Sequence, residues 1–155
     1  ISDVSHLTWL PDRPYTAGEW GYVNGKGRST TSEIYNTVDG PVYQTWMEDI
    51  TEYKIDAPAG TYEVELLMAD VSRPARQQAN LLGKGDERAS AVSKRFDITI
   101  CGEVVEQNFS PADNNRYLNA CRRRYIVNNN DGCIDIRFTP LQGKPVLSGL
   151  KVRRL

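Results

Sequence analysis

The sequence predicts an all-β fold, a β-sandwich of the jelly-roll type. Apolar and polar residues alternate with period two through the second half of the chain, and helical periodicity is hard to find. Turn signals separate these stretches at a spacing of about 10 residues, which is typical of sandwiches and jelly rolls. A chain of 155 residues with 39% hydrophobic residues can bury one core. We therefore expect residues 1–155 to form a single soluble domain.

Three hairpins and a closing strand make up the predicted framework. Their turn signals are APAG, CGE and DG. The stretches that they join are 50–57 with 61–71, 94–100 with 103–109, and 125–127 with 134–138. Residues 146–155 form the last strand, in which Leu150 and Val152 are core positions. The predicted inward-facing residues of the hairpins are Tyr62, Val64, Leu66, Met68, Phe96, Ile98, Ile100, Ile134, Ile136 and Phe138.

Two stretches break this rhythm. Residues 1–41 are rich in Gly, Pro, Ser and Thr, and residues 72–93 form a connection longer than the usual loop. Long loops of this kind are usually functional, flexible, or used against a neighbouring domain. The chain starts at Ile1 with neither a methionine nor a signal peptide, which suggests a processed protein or a piece of a longer one.

Charge and hydropathy exclude two classes of partner. Lys and Arg number 19 against 20 Asp and Glu, so the chain lacks the positive field that attracts nucleic acid or anionic lipid. No apolar run approaches the length of a membrane span. We expect neither nucleic-acid binding nor membrane insertion.

Little in the sequence supports catalysis or metal binding. The only histidine, His6, has no nucleophile or acid beside it, and the acidic residues of the strands look like solvated faces and turns. The NNNDG stretch at 128–132 lacks the spacing of a calcium loop. We predict no catalytic residue, metal or cofactor in this domain.

Three cysteines, Cys101, Cys121 and Cys133, lack the CxxC spacing of a zinc or redox site. Buried free thiols are the first interpretation. A disulfide, for example between Cys121 and Cys133, stays open for an oxidising compartment.

The run Arg122 to Arg124 resembles a basic patch. In a strand, however, Arg122 and Arg124 share one face and Arg123 takes the other. This split favours salt bridges or an interdomain contact over nucleic-acid binding.

Aromatic residues cluster towards the amino terminus. All three tryptophans and four of the eight tyrosines lie within the first 46 residues, at Trp9, Trp20, Trp46, Tyr15, Tyr22, Tyr35 and Tyr43. Indole and phenol rings offer a flat apolar face on which a pyranose can stack. The cluster is equally compatible with a sugar site and with a core that is filled and edged by aromatic rings.

The succession VYQT, APAGTYEVELLMADV, KRFDITICGEVVEQNF and GKPVLSGLKV resembles the malectin domain, from about Trp20 to Arg153. The opening WLPDRPYTAGEWGYVNGK is similar to malectin-type domains near the carboxyl end of bacterial family 2 glycoside hydrolases of the β-galactosidase kind. The resemblance implies a galactose-binding-domain-like jelly roll whose loops form an aromatic cleft for carbohydrate at one end.

The resemblance also implies particular contacts. Trp20, before Gly21, and Tyr43, in the YQT motif, match the family's first two ligand aromatics. Ser72 and Arg73 stand where the family has a further aromatic pair, and Gly143 stands near its carboxylate. Trp46 matches no ligand contact and is assigned to packing. The predicted carbohydrate-binding residues are Trp20, Tyr43, Tyr22, Asn24, Gln44 and Arg73.

The sequence and the resemblance together indicate two alternative functions. The first is a noncatalytic carbohydrate-binding accessory domain of a β-galactosidase-type hydrolase that is secreted or periplasmic, with an oligosaccharide or polysaccharide as ligand. The second is a structural domain that packs against other domains of the same enzyme and binds no sugar itself.

Overall fold

The computed structural model describes residues 9–71, 93–113 and 116–155. Strands dominate these residues, which confirms the all-β prediction. In chain order the elements are β1 (Trp20–Val23), β2 (Lys26–Ser29), α1 (Gly40–Tyr43), β3 (Thr45–Glu48), β4 (Glu52–Asp56), β5 (Gly60–Met68), β6 (Arg95–Ile100), β7 (Glu103–Phe109), β8 (Cys121–Asn129), β9 (Cys133–Gln142), β10 (Val146–Leu147) and β11 (Gly149–Arg154). The helix described, α1, has 4 residues and is far too short to cross a bilayer.

The strands form two layers. One layer is a five-stranded antiparallel sheet with the order β1-β4-β9-β6-β7. The other contains two three-stranded sheets, β11-β5-β8 and β10-β3-β2. These two sheets meet at Ser148, between β10 and β11, whose backbone N–H donates to the Leu67 carbonyl at 2.9 Å. The chain from β10 to β11 therefore pairs first with β3 and then with β5.

The main core lies between the five-stranded sheet and the β11-β5-β8 sheet. All ten inward positions predicted for the hairpins are buried in it. Phe96 lies among them and makes edge contacts with Phe109 and Phe138, at ring-centre distances of 5.6 and 6.1 Å. Leu150 and Val152 are half-buried against this core. The sandwich prediction is confirmed.

Two of the three predicted hairpins are wrong. The β6–β7 hairpin forms, but β4 pairs with β1 and β9 whereas β5 pairs with β11 and β8. Likewise β8 and β9 lie in different sheets. The turns at 57–60 and 130–132 therefore carry the chain across the sandwich, and their flanking apolar faces meet through the core. Turn chemistry alone does not distinguish such a corner from a hairpin.

A smaller core, which we call the outer core, lies on the outer face of the β11-β5-β8 sheet. Leu67 points away from the main core and packs with Ile34, Val42, Tyr43 and Ala69. Trp9 covers this cluster. Because both faces of this part of β5 are covered, residues 64–70 are buried without alternation.

Further along that outer face, charged side chains replace the apolar ones. Glu65, predicted as solvated, is only 7% exposed, because Arg122 Nε and Arg124 Nη2 lie 3.2 and 3.7 Å from its carboxylate. Arg123 points to the other face and lies 3.6 Å from Glu106. The predicted splitting of the arginine run into salt bridges is confirmed.

Candidate functional site

A groove of about 490 Å³ runs beside β11, one of the two edge strands of its described sheet. Strand alternation gives the groove two walls, one on each face of β11. The outer wall contains Trp9 and Val42, and the inner wall contains Trp20, Tyr53 and Ile55. Gly149 permits the close outer wall, since a Cβ there would lie 3.2 Å from the Trp9 ring and 3.1 Å from Val42.

Backbone polar groups of β11 also line the groove. The Ser148 hydroxyl is buried and makes no hydrogen bond with the described residues. The Leu155 N–H donates to Thr61 O at 2.9 Å, so antiparallel alternation directs the N–H and C=O of Leu150 and Val152 away from β5, towards the groove. Donors and acceptors beside apolar walls are the features of a site for a polyhydroxylated ligand.

One carboxyl group lies in the groove. Tyr53 Oη donates to Asp12 Oδ1 at 3.1 Å. Burial raises the pKa of the Asp12 carboxyl, and the hydrogen bond from Tyr53 only partly offsets this effect. Burial and the neighbouring Asp12 charge also raise the pKa of Tyr53, so this hydroxyl stays protonated and can donate.

Trp20 is half-buried and lines the inner wall. Its ring packs against the main core, and the Arg13 guanidinium carbon lies 4.2 Å from the ring centre. Arg13 is fixed there by hydrogen bonds to Trp20 O at 3.2 Å and to Glu19 at 3.0 Å. Trp9 is similarly associated with Lys151, whose Nζ lies 5.2 Å from its ring centre.

Tyr43, the second predicted ligand aromatic, is only 2% exposed, because α1 packs it against Leu67 and Ala69 on the outer face of β5. Burial raises the pKa of Tyr43 to about 12. Its sugar contact stays a prediction. Trp46 is buried at 8% exposure, so its assignment to packing is confirmed.

The other predicted contacts are dispersed. Tyr22 is half-buried against the main core, and Asn24, at φ 58°, donates to Thr51 Oγ1 at 3.1 Å. Gln44 Nε2 donates to Ser32 O at 2.9 Å. Arg73 lies outside the described residues. Of the predicted residues that the structure describes, Trp20 alone lines the groove.

Sequence reasoning missed Asp12, Ser148 and Lys151. Ser148 and Lys151 flank the predicted core residue Leu150, and the same alternation places Lys151 on the opposite face. Nothing in the pattern shows that β11 is an edge strand beside a groove, since that depends on which strands pair.

The described residues contain no group of three or more His, Cys, Asp or Glu side chains that could hold a metal ion. Cys101, Cys121 and Cys133 are half-buried free thiols. Burial is the main cause that raises the pKa of all three, that of Cys133 to about 11. At neutral pH these thiols are protonated and weakly nucleophilic.

This jelly roll is a malectin-like fold, and the family profile described as "Malectin domain" matches residues 2–149. The chain belongs to the malectin-domain family. Comparison with curated protein sequences finds no significant match.

Solved structures share the fold. A crystal structure of Bacteroides uniformis β-glucuronidase is 43% identical, with a TM-score of 0.85, over 99% of this chain and 16% of the enzyme. A second, covalently bound to cyclophellitol-6-carboxylate aziridine, is 42% identical, with a TM-score of 0.84 and the same coverage. The plant receptor-like kinase FER is 17% identical, with a TM-score of 0.71, over 100% of this chain and 39% of the kinase chain. The chain thus spans about one sixth of the β-glucuronidases that it matches.

Proposed function

We propose that residues 1–155 form a noncatalytic carbohydrate-binding accessory domain of a longer glycoside hydrolase. The observation that carries this proposal is the groove beside β11, where apolar walls adjoin the edge of the strand that no described strand pairs with. Membership of the malectin-domain family and similarity to part of a β-glucuronidase support it.

The groove suits a sugar ring in size and chemistry. Small-ligand pockets occupy about 300–1,000 Å³, and this groove occupies about 490 Å³. The exposed part of Trp20 and the side chain of Ile55 offer apolar contact for C–H groups. The backbone N–H and C=O groups of Leu150 and Val152 can exchange hydrogen bonds with hydroxyl groups.

Binding without hydrolysis fits the charges of the groove. Glycosidic hydrolysis ordinarily requires two carboxyl groups on either side of the scissile bond. Asp12 is the one carboxyl among the described residues that line the groove.

The parent enzyme and its location belong to the same proposal. The similar enzymes are β-glucuronidases, so a parent of that type has more support than the predicted β-galactosidase. We propose that this enzyme acts in the periplasm or outside the cell, where polysaccharides are present.

A titration of the chain with gluco-, galacto-, xylo- and manno-oligosaccharides, followed by tryptophan fluorescence and NMR, tests the binding. We expect one sugar class to bind saturably, and Trp20→Ala to weaken this binding by about 10-fold, the effect of one lost aromatic contact. Tyr35→Ala is the control, because Tyr35 is 51% exposed and outside the groove. No response to any sugar from the folded chain would reject the proposal.

A second candidate function is packing against the parent enzyme. This function is favoured because the cationic groups of Arg13 and Lys151 already lie over the Trp20 and Trp9 rings, where a sugar would otherwise stack. Exposed Ile126 and Val104, at 59% and 52%, offer apolar contact elsewhere. In that case the parent enzyme without this domain should unfold at a lower temperature, and no sugar should bind the chain.

A further inference from the structure

A second pocket, of about 420 Å³, lies where β8 begins. Three arginines line it, Arg116, Arg122 and Arg123, and we call it the arginine pocket. Asn36, Asn119 and Ser110 contribute neutral polar groups. None of these six residues was predicted as a ligand contact.

Backbone hydrogen bonds hold two sides of the arginine pocket together. The Tyr35 N–H donates to Leu118 O at 2.7 Å, and the Ala120 N–H donates to Tyr35 O at 2.9 Å. Asn36 Nδ2 donates to Asn119 Oδ1 beside this bridge. The amide groups are thereby positioned before any ligand arrives.

Two of the arginines are fixed by acids outside the pocket lining. Arg122 Nε lies 3.2 Å from Glu65, and Arg123 Nε lies 3.6 Å from Glu106. Arg123 also lies 5.2 Å from the Phe109 ring centre. They point to opposite faces of β8, and both line the pocket. Arg123 Nη1 also donates to Arg122 O at 3.1 Å, and each guanidinium group has further N–H donors beyond these contacts.

Arg116 differs, since its side chain makes no hydrogen bond or ion pair with the described residues. Asp113 is the one acid of the described lining and lies 3.3 Å from Arg95. Since Arg122 and Arg123 are paired with Glu65 and Glu106, Arg116 supplies the positive charge of the described lining that no described acid offsets. The groove beside β11 is lined instead by one Lys and one Asp among the residues that the structure describes.

We propose that the arginine pocket is a second carbohydrate subsite, which binds an acidic saccharide through its carboxylate or sulfate group. Planar guanidinium groups bind such oxyanions through paired N–H···O bonds. Asn36 and Asn119 supply amide contacts for the hydroxyl groups of the same sugar. The inference rests on the proposed function and deepens it, because it names the charge of the saccharide.

Isothermal titration of the chain with matched trisaccharides tests the subsite. The probes are a neutral galactose trisaccharide, a galacturonate trisaccharide, and a sulfated galactose trisaccharide. We expect at least one acidic probe to bind more tightly than the neutral one, with an affinity that falls as salt rises. Arg116→Gln should weaken this binding by about 10-fold, the effect of one charge-assisted hydrogen bond. The acidic probe that binds identifies the oxyanion.

Two variants serve as controls. Arg153→Gln removes an arginine of the same sheet that pairs with Glu63 and lines neither pocket, so acidic probes should bind it as they bind the unaltered chain. Arg122→Gln is a second test within the pocket, and its melting temperature shows whether losing the Glu65 contact disturbs the fold.

The outcomes separate the two proposals. Equal binding of neutral and acidic probes, unchanged by Arg116→Gln and Arg122→Gln, would overturn the proposal for the arginine pocket. It would leave the proposal for the groove intact. Binding of a penta-glutamate peptide with no response to acidic trisaccharides would also overturn it. Failure of every saccharide would reject both.

Discussion

Gly21 shows how one residue decides where the amino-terminal segment lies. Residues 13–15 run along β1, the edge strand of the five-stranded sheet. The Tyr15 N–H donates to Tyr22 O, and the Tyr22 N–H donates to Arg13 O, each at 3.0 Å. A Cβ on Gly21 would lie 2.4 Å from backbone atoms of Arg13, Pro14 and Tyr15. Only a residue without a side chain permits this approach.

Replacement of Gly21 by alanine should therefore destabilise the domain. The clash is with backbone, which cannot move aside as a flexible side chain would, and overpacking costs about 1–3 kcal/mol of the free energy of unfolding. Urea unfolding followed by tryptophan fluorescence measures this change. Gly27→Ala on β2 is the matched control, since a methyl group at Gly27 would meet no described atom within 4 Å. Equal stability of the two variants would contradict the close approach.

For single residues, the sequence predicts which side chains are buried better than it predicts which residues they contact. Alternation identifies Ile98 and Ile136 as core residues, because a strand directs alternate side chains to opposite faces. It does not show that Tyr43 is covered by the outer core, since that depends on Leu67 facing outward on a distant strand. The sequence predicts Trp20 as a ligand-contact residue, and Trp20 does line the groove. Nothing in the sequence indicates that Arg13 lies over its ring.

Among the elements, β5 and β6 are joined at their ends by a buried ion pair. Lys94 Nζ, just before β6, lies 3.7 Å from Asp70 Oδ1, two residues after β5, and the side chains are 8% and 0% exposed. The Ser93 hydroxyl also donates to Asp70. The pair links the two ends of the long connection that begins after Val71.

Replacement of Lys94 by methionine should be strongly destabilising. It removes the cation that lies 3.7 Å from the buried Asp70 carboxylate, and breaking a buried pair typically costs about 3–5 kcal/mol of unfolding free energy. Asp70→Asn in the same chain should recover part of this loss, because it removes the buried negative charge. Chemical denaturation of the single and double variants measures both effects.

Glu19→Gln is the control for this pair. It breaks the ion pair with Arg13. The side chains of Arg13 and Glu19 are 40% and 50% exposed, and exposed pairs contribute about 0–1 kcal/mol to the free energy of unfolding. A loss in Lys94→Met no greater than in this control would contradict a stabilising role for the buried pair.

The pairing of elements was predictable only in part. The β6–β7 hairpin follows from a tight turn between two alternating stretches, and it forms. The corners after β4 and β8 carry the same kind of turn residues, yet they cross between layers. Strand order reflects long-range pairing and core volume, which local turn chemistry does not encode.

For the molecule as a whole, free thiols imply that its stability does not depend on redox conditions. We expect the same melting temperature with and without dithiothreitol, because Cys101, Cys121 and Cys133 form no disulfide. A native disulfide would contribute about 2–4 kcal/mol, enough to shift the melting temperature by several degrees. Differential scanning calorimetry at matched pH checks this. A fall of several degrees upon reduction would show that a disulfide forms.

The architecture was predictable at the level of the whole chain, because alternation and motif succession both indicate a jelly roll. The family profile and the similar structures agree with that prediction. The groove was not predictable, since it arises on the side of β11 opposite β5, where no described strand pairs with it, and its walls come from segments far apart in sequence.

The arginines of β8 have a consequence for self-association. β8 has nine residues and a free edge in the described part of its sheet, which is the kind of surface on which strands of other copies add and aggregates begin. Arg122, Arg123 and Arg124 place charged side chains on both faces of that edge, and an added strand would have to take their ion pairs out of water at a cost in free energy. The sandwich can thus leave this edge open in concentrated solution and still discourage fibre-like stacking with its own kind.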